Sequence, residues 1–221
     1  PSPNRDRFIL SKGHAALAQY VALSKRGFFD ESSLKSEFLA NGGILGGHPD
    51  KLISHGIEMS SGSLGHGLSI AAGVALSAKK NKLPFFSYVL LGDGECNEGM
   101  IWEAAMFASH HKLDNLVGFV DYNNLQGLGA CNEILNLSTL SEKFHSFGWS
   151  VVEIDGNNIE EIVSEIQLLP YQNDRPNMII AKTIKGKGVP SLENKLHSHY
   201  EVLTKQRYEQ IMQELEKNKN S

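Results

Sequence analysis

Four short runs rich in β-branched, aromatic and aliphatic residues are spaced along the chain: PFFSYVLLG (84–92), NLVGFVDY (115–122), SVVEIDG (150–156) and NMIIAKTI (177–184). Their centres are continuously apolar rather than alternating, the pattern of strands covered on both faces. Helical segments separate them. EGMIWEAAMFASHHK places Ile101, Ala104, Ala105 and Ala108 on one face at i, i+3, i+4 and i+7. STLSEKFHSFG offers a capping candidate in Ser138 and stops at Gly148, and NNIEEIVSEIQLL carries a stripe of Ile159, Ile162, Val163 and Ile166. Upstream, GLSIAAGVALSAKK (67–80) is a small-residue helix suited to close packing. The alternation predicts an α/β fold: a doubly wound, mostly parallel sheet flanked by helices. With no repeat, low-complexity tract or Pro/Ser-rich linker, residues 1–221 read as a single domain. It closes on an edge-docking helix at about 204–217 that carries Tyr208, Ile211, Met212 and Leu215.

Composition narrows the function. The net charge of −4 is spread along the chain, whereas a nucleic-acid surface needs a basic face, so no nucleic-acid partner is expected. No apolar run has membrane-spanning length and no signal-peptide pattern opens the chain, so no membrane partner and a cytoplasmic location are expected. The two cysteines, Cys96 and Cys131, have no metal-type spacing. Reduced thiols are the economical reading, with a disulfide left open.

The first strand runs straight into GDG, so Asp93 falls at a strand's carboxyl end, where open α/β sheets bind ligands. Gly92 and Gly94 let the backbone turn tightly and approach an anion, and the following helix offers unpaired N–H groups. A carboxylate in such a turn would repel a diphosphate unless a cation lay between them, which argues for Mg²⁺ or Ca²⁺ as a bridge. The bland alternative is a turn closed by an Asx-type bond. A nicotinamide dinucleotide site fits poorly. The third glycine, Gly99, comes five positions after Gly94, and the acidic residue lies inside the turn rather than about twenty residues onward. The second strand ends in Asp121 and then Asn123-Asn124, with 28 residues between GDG and the asparagine pair. An asparagine amide oxygen is a hard, neutral ligand able to continue the shell that Asp93 begins.

GDG, a helix, a strand and NN together resemble the thiamine-diphosphate signature. The surrounding text is similar, in order, to transketolases: RDRFILSKGHAA, GHPD, GIEMSSGSLGHGLSIAAGVALSAK, GDGECNEGMIWEAAMFASHHKLDNL, VDYNNLQ and KTIKGKG. The resemblance runs from about Asn4 to His199 and points to the N-terminal, diphosphate-binding half, of the kind encoded as a separate subunit.

It implies thiamine diphosphate and Mg²⁺ (Ca²⁺ or Mn²⁺ as substitutes), with the ion held by Asp93, Asn123 and the carbonyl of Leu125. Gly92 would shape the turn and Gly94 would offer its N–H to the diphosphate. Gly62 would meet the aminopyrimidine through its backbone and Leu64 would pack on the rings. His66 stands where many members carry glutamine. Glu98 would belong to a buried carboxylate cluster between two cofactor sites; without the resemblance it reads equally as a first-turn glutamate favoured by the helix dipole. His14 and His48 would serve substrate hydroxyls or proton transfer near the reacting carbon. His199 matches a family histidine usually followed by glycine, where Tyr200 stands, and His197 competes with it. His110, His111 and His145 read as helix-surface residues.

The family's histidine-glycine segment upstream of RDRF and its pyrimidine-binding half have no counterpart in these 221 residues. The expectation is therefore one subunit of an α₂β₂-like heterotetramer whose partner is the C-terminal, pyrimidine-binding subunit. The reaction implied is transfer of a two-carbon ketol unit from a ketose, phosphorylated by preference, to an aldose. A decarboxylase or synthase half using 2-oxo acids and a non-catalytic binding subunit stand as alternatives.

Overall fold

The computed structural model describes residues 2–136 and 138–219; Pro1, Leu137, Asn220 and Ser221 lie outside it. In chain order the strands are β1 (Arg7–Leu10), β2 (Ser87–Gly92), β3 (Leu116–Tyr122), β4 (Leu125–Gln126), β5 (Gly129–Ala130), β6 (Ser150–Asp155) and β7 (Asn177–Lys182). The helices are α1 (Ala16–Lys25), α2 (Ser32–Glu37), α3 (His66–Lys80), α4 (Gly99–His110), α5 (Cys131–Ile134), α6 (Leu140–Ser146), α7 (Ile159–Gln167) and α8 (Lys205–Lys219).

Five strands form one wholly parallel sheet in the order β1-β2-β3-β7-β6, and β4 and β5 make a small antiparallel hairpin. The chain steps across from β1 to β3, jumps to the far edge at β6, then doubles back to insert β7. Reversing direction sends the later crossover helix to the opposite face. Side-chain alternation splits the core accordingly. Val89, Leu91, Leu116, Val120, Met178 and Ile180 pack with residues of α3, α4 and α6, while Val117, Ile154, Ile179 and Ala181 face Ile162 of α7. The α4 stripe of Ile101, Ala104, Ala105 and Ala108 is fully buried between the layers.

Several local expectations need revision. The first apolar run pairs only from Ser87, because the edge strand β1 starts its ladder at Arg7↔Ser87 and β3 at Ser87↔Leu116. β1 itself, only RFIL, is too short to stand out from the polar text around it. α6 starts at Leu140 on Thr139, which is left-handed (φ 64°) and makes no side-chain cap. Ser138 instead donates its N–H to Asn136 Oδ1 at 2.7 Å. The α7 stripe is not a core stripe: Ile159, Val163 and Ile166 are exposed, since α7 lies against the edge strand β6 and only Ile162 reaches the apolar cluster there. In α8, Ile211 is buried while Tyr208 and Met212 are exposed. Among the described residues no helix is long and apolar enough to cross a membrane.

Candidate active site

Because the sheet is parallel, the segments leaving β1, β2, β3 and β7 emerge on one side, and a cavity of about 480 Å³ opens there. Its walls include Lys12 and His14 after β1, Gly92 to Glu95 at the end of β2, Asn123 and Leu125 to Gly127 after β3, and Lys185 after β7. Leu64, Glu98, His199 and Tyr200 complete its rim.

Asp93 is only 3% exposed. Its Oδ1 accepts from Gly94 N–H at 2.7 Å, and its Oδ2 accepts from the N–H groups of Asn123 (3.0 Å) and Asn124 (2.5 Å). Burial raises its carboxyl above the usual range against the pull of these donors. The turn does close through an aspartate bond, and the same carboxylate ties β2 to the loop after β3. Asn124 adopts φ 61° in that loop, a left-handed geometry asparagine tolerates, which aims successive N–H groups at Asp93. The Gly94 N–H is engaged with Asp93 and does not stand free toward the cavity.

The donor set suits a hard divalent cation. An ionised carboxylate has about four lone-pair positions; at Asp93 three N–H donors and the Cys131 thiol already draw on them, so a cation there would share the carboxylate with those donors. Asn123 Oδ1 accepts only the Leu125 N–H (3.1 Å) among the described residues, and an amide oxygen has capacity for a second partner. Among the described residues, no three His, Cys, Asp or Glu side chains cluster as a metal-holding group. The candidate set is instead one carboxylate, one amide and one main-chain carbonyl, an oxygen shell of the magnesium kind.

Several residues that motif reading did not single out shape the site. Lys12, 9% exposed, forms an ion pair with Asp121 at 2.5 Å, and Thr183 and Asn123 also donate to that carboxylate. These partners, Lys12 foremost, hold the Asp121 carboxyl low in spite of its burial. Lys185 has its ammonium pushed down by burial and then by Lys12. Lys12, paired with Asp121, and Lys185 both line the cavity, a positive lining that suits an anion. Glu95, 3% exposed, is the structural hub: Ser11 Oγ, Gly65 N–H (2.8 Å) and Gly92 N–H (3.0 Å) all donate to it. Ser11 Oγ in turn accepts from Gly67 N–H at 3.1 Å. One carboxylate therefore ties the end of β1, the end of β2 and the loop entering α3. Neither Lys12 nor Glu95 carried a signal: Lys12 follows a strand of only four residues, and Glu95 is one more acidic residue in an acidic tail.

His14 and His199 face each other with ring centroids 5.6 Å apart. The His14 imidazole is lowered from 6.5 to about 4, first by removal from water and then by Lys12, His199, Lys185 and His48, so it is neutral at physiological pH. His199 is lowered for the same reasons, burial first and then Lys185 and Lys12. Of the competing pair, His199 lines the cavity while His197 points outward toward Glu201 at 3.8 Å. His48 is exposed and lies over Gly62, whose φ of 143° and missing Cβ admit its ring; a Cβ there would sit 3.3 Å from it. Gly62, His48 and His66 are not cavity-lining, and His66 is an exposed first residue of α3 whose Nδ1 lies 3.2 Å from Leu64 O.

Glu98 departs from its expected setting. It is exposed, at the N-cap of α4, with no side-chain capping bond, and its Cβ lies against Gly65 of the loop entering α3. His110 and His145 are exposed and His111 partly so. Cys96 and Cys131 are buried free thiols.

A family model described as transketolase, thiamine diphosphate binding domain, matches residues 2–220. The chain is 42% identical over 213 residues to an apulose-4-phosphate transketolase subunit of Phocaeicola vulgatus, covering 96% of this chain and 74% of that protein. It is 45% identical over 215 residues to the 6-deoxy-6-sulfo-D-fructose transketolase subunit SqwG of a Clostridium species, covering 97% and 78%. The solved transketolase of Campylobacter jejuni superposes with a TM-score of 0.85 at 32% identity, over 96% of this chain and 34% of that one. The chain thus spans about a third of that solved transketolase and roughly three quarters of the two subunits.

Proposed function

The chain belongs to the transketolase family, as its thiamine-diphosphate-binding domain, and on that premise we propose that it is the diphosphate-binding subunit of a two-part transketolase. The enzyme would move a two-carbon ketol unit from a ketose to an aldose. The observation that carries the reading is the combination at the strand ends: a buried, N–H-braced Asp93 beside Asn123 and Leu125, with Lys12 and Lys185 crowded on the same cavity.

Asp93, the Asn123 amide oxygen and the Leu125 carbonyl would hold Mg²⁺, which offsets the repulsion between Asp93 and a diphosphate. Lys12 and Lys185 would neutralise the outer phosphate oxygens, and the anion would raise the depressed ammonium of Lys185. Gly94 sits tightly against the loop after β3, where a Cβ would meet Gln126 at 2.8 Å. Bound there, thiamine diphosphate supplies the carbanion chemistry of ketol transfer. His14, neutral and donor-competent, would orient the substrate and carry a proton at its free ring nitrogen, with His199 opposite and His48 at the approach. Leu64 and the Gly62 backbone would support the rings.

The exposed Glu98 and the open Gly62–His66 side call for a covering surface, which a pyrimidine-binding partner would supply in an α₂β₂-like assembly. The names of relatives as subunits support that reading. Those relatives are named for apulose 4-phosphate and 6-deoxy-6-sulfo-D-fructose, both of which end in an anion, so a ketose phosphate is the first donor to try. Calorimetric titration of the chain with thiamine diphosphate tests the cation bridge. Binding that requires Mg²⁺ and is lost with a chelator supports it; equal binding without a divalent ion contradicts it.

A further inference from the structure

Tyr200 is not among the residues assigned above to the cofactor end, and its ring lines the same cavity as Lys12, His14, Asp93 and Lys185. It stands on Gly127. A Cβ built at Gly127 would overlap the Tyr200 hydroxyl oxygen and lie 3.2 Å from its ring carbon Cζ, so the phenol occupies the space a side chain at 127 would fill. Any larger residue at 127 would expel it.

The ring is also ordered from the other side. It packs edge-on against His199 with centroids 4.8 Å apart, and His199 in turn faces His14 at 5.6 Å, so three rings form a row along the cavity wall. The next residue, Glu201, is pinned by Arg207 at 2.5 Å, and Arg207 also donates to Ser191 Oγ at 2.8 Å. Both partners of that ion pair are largely buried, with side chains about 20% exposed. The backbone behind Tyr200 is thereby anchored to the loop that follows β7. Two features separate it from a core aromatic: Tyr200 is 66% exposed, and among the described residues its hydroxyl has no hydrogen-bond partner. A buried tyrosine hydroxyl would find one; here a fixed phenol is held at the mouth with its donor unspent.

We propose that Tyr200, seated on Gly127 and braced by His199, is a specificity-determining residue that donates a hydrogen bond to the non-transferred part of the sugar. The inference rests on the ketol-transfer reading above. A substrate reaching past the His14–His199 pair meets the phenol next in the row; a substrate of two carbons does not extend that far. A site that offers a hydrogen bond favours substrates able to accept it.

The test uses the assembled enzyme with its pyrimidine-binding partner, thiamine diphosphate and Mg²⁺, a ketose phosphate donor, and two acceptors, glycolaldehyde and D-ribose 5-phosphate. Tyr200→Phe removes only the donor, and Tyr200→Gly removes the ring. The ratio of kcat/KM for the five-carbon over the two-carbon acceptor is expected to fall about tenfold in Tyr200→Phe, chiefly through KM, and at least as far in Tyr200→Gly. A ratio unchanged within about twofold overturns the inference, as does an equal loss on both acceptors, which would make Tyr200 only a brace for His199. A wild-type assembly that transfers no ketol unit breaks the underlying reading and the inference falls with it. One that accepts glycolaldehyde alone overturns the inference while leaving that reading intact.

Discussion

At the Asp93 end of the cavity, charged and polar side chains are buried and bonded: Asp93 and Glu95 are each 3% exposed and take several N–H or O–H donors apiece. Outside that cavity, Gly62, His48 and His66 are exposed, as is Glu98 on its rim, which makes no capping bond. Both ends carry residues that motif reading had marked. The difference teaches that one end is finished by this chain alone, because burying a carboxylate is tolerable only when its bonds are made in place. The other end has the residues without the enclosure, the state of a surface that another surface completes.

That contrast can be broken at its strong end first. Asp93→Ala removes the carboxylate on which three N–H groups converge. Mg²⁺-dependent affinity for thiamine diphosphate should drop about 1,000-fold, on the order of 4 kcal/mol, by calorimetry; a drop of less than about tenfold would detach Asp93 from the ion. Glu95→Ala comes next. It strands the donors of Ser11, Gly65 and Gly92 in the interior, and urea unfolding of the chain without cofactor should report a loss of about 3 kcal/mol. A loss below about 0.5 kcal/mol would deny the hub.

Lys12→Met sharpens the electrostatics. Removing one of the crowded ammonium groups should weaken cofactor binding about tenfold. It should also raise the His14 titration, read by imidazole NMR, above its starting point of about 4. The sign follows from the charge: with a neighbouring cation gone, protonation is easier. Because the folded value lies below 6.5, His14 withdraws stability as pH falls from 6.5 toward 4, and Lys12→Met should flatten that part of the pH profile. A His14 midpoint that stays put would remove Lys12 from the site.

The weakest effect belongs to the open end. Glu98→Gln should change the stability of the isolated chain by less than about 0.5 kcal/mol, because the side chain is exposed and unpaired. The same substitution should lower the activity of the assembled enzyme. A large stability loss in the isolated chain would mean that Glu98 is already enclosed.

The inner strands were legible because they have uninterrupted apolar centres, though β6 at the edge is only partly covered, and the α4 stripe because helical period and burial agree there. β1 escaped detection since four residues among polar neighbours carry too little pattern. The α7 stripe misled for the opposite reason: periodicity reports an apolar face, not what lies against it, and Ile159, Val163 and Ile166 remain exposed. In the site, Asp93 and Asn123 were readable because glycine-flanked acids and paired asparagines at strand ends are chemically unusual. Glu95 was not, since its importance lies in partners distant in sequence, Ser11 and Gly65. Tyr200 stood out only as a departure from a motif. Its seat on Gly127 is a tertiary fact.

The division of labour between the two ends is tested most directly by reconstitution. Ketol transfer from a ketose phosphate is measured with thiamine diphosphate and Mg²⁺ for this chain by itself, for a pyrimidine-binding transketolase partner by itself, and for the two mixed. The account predicts no transfer from either one and full transfer from the mixture, saturating at equal proportions. Transfer by this chain on its own would contradict it, for the open end would then need no partner to complete it.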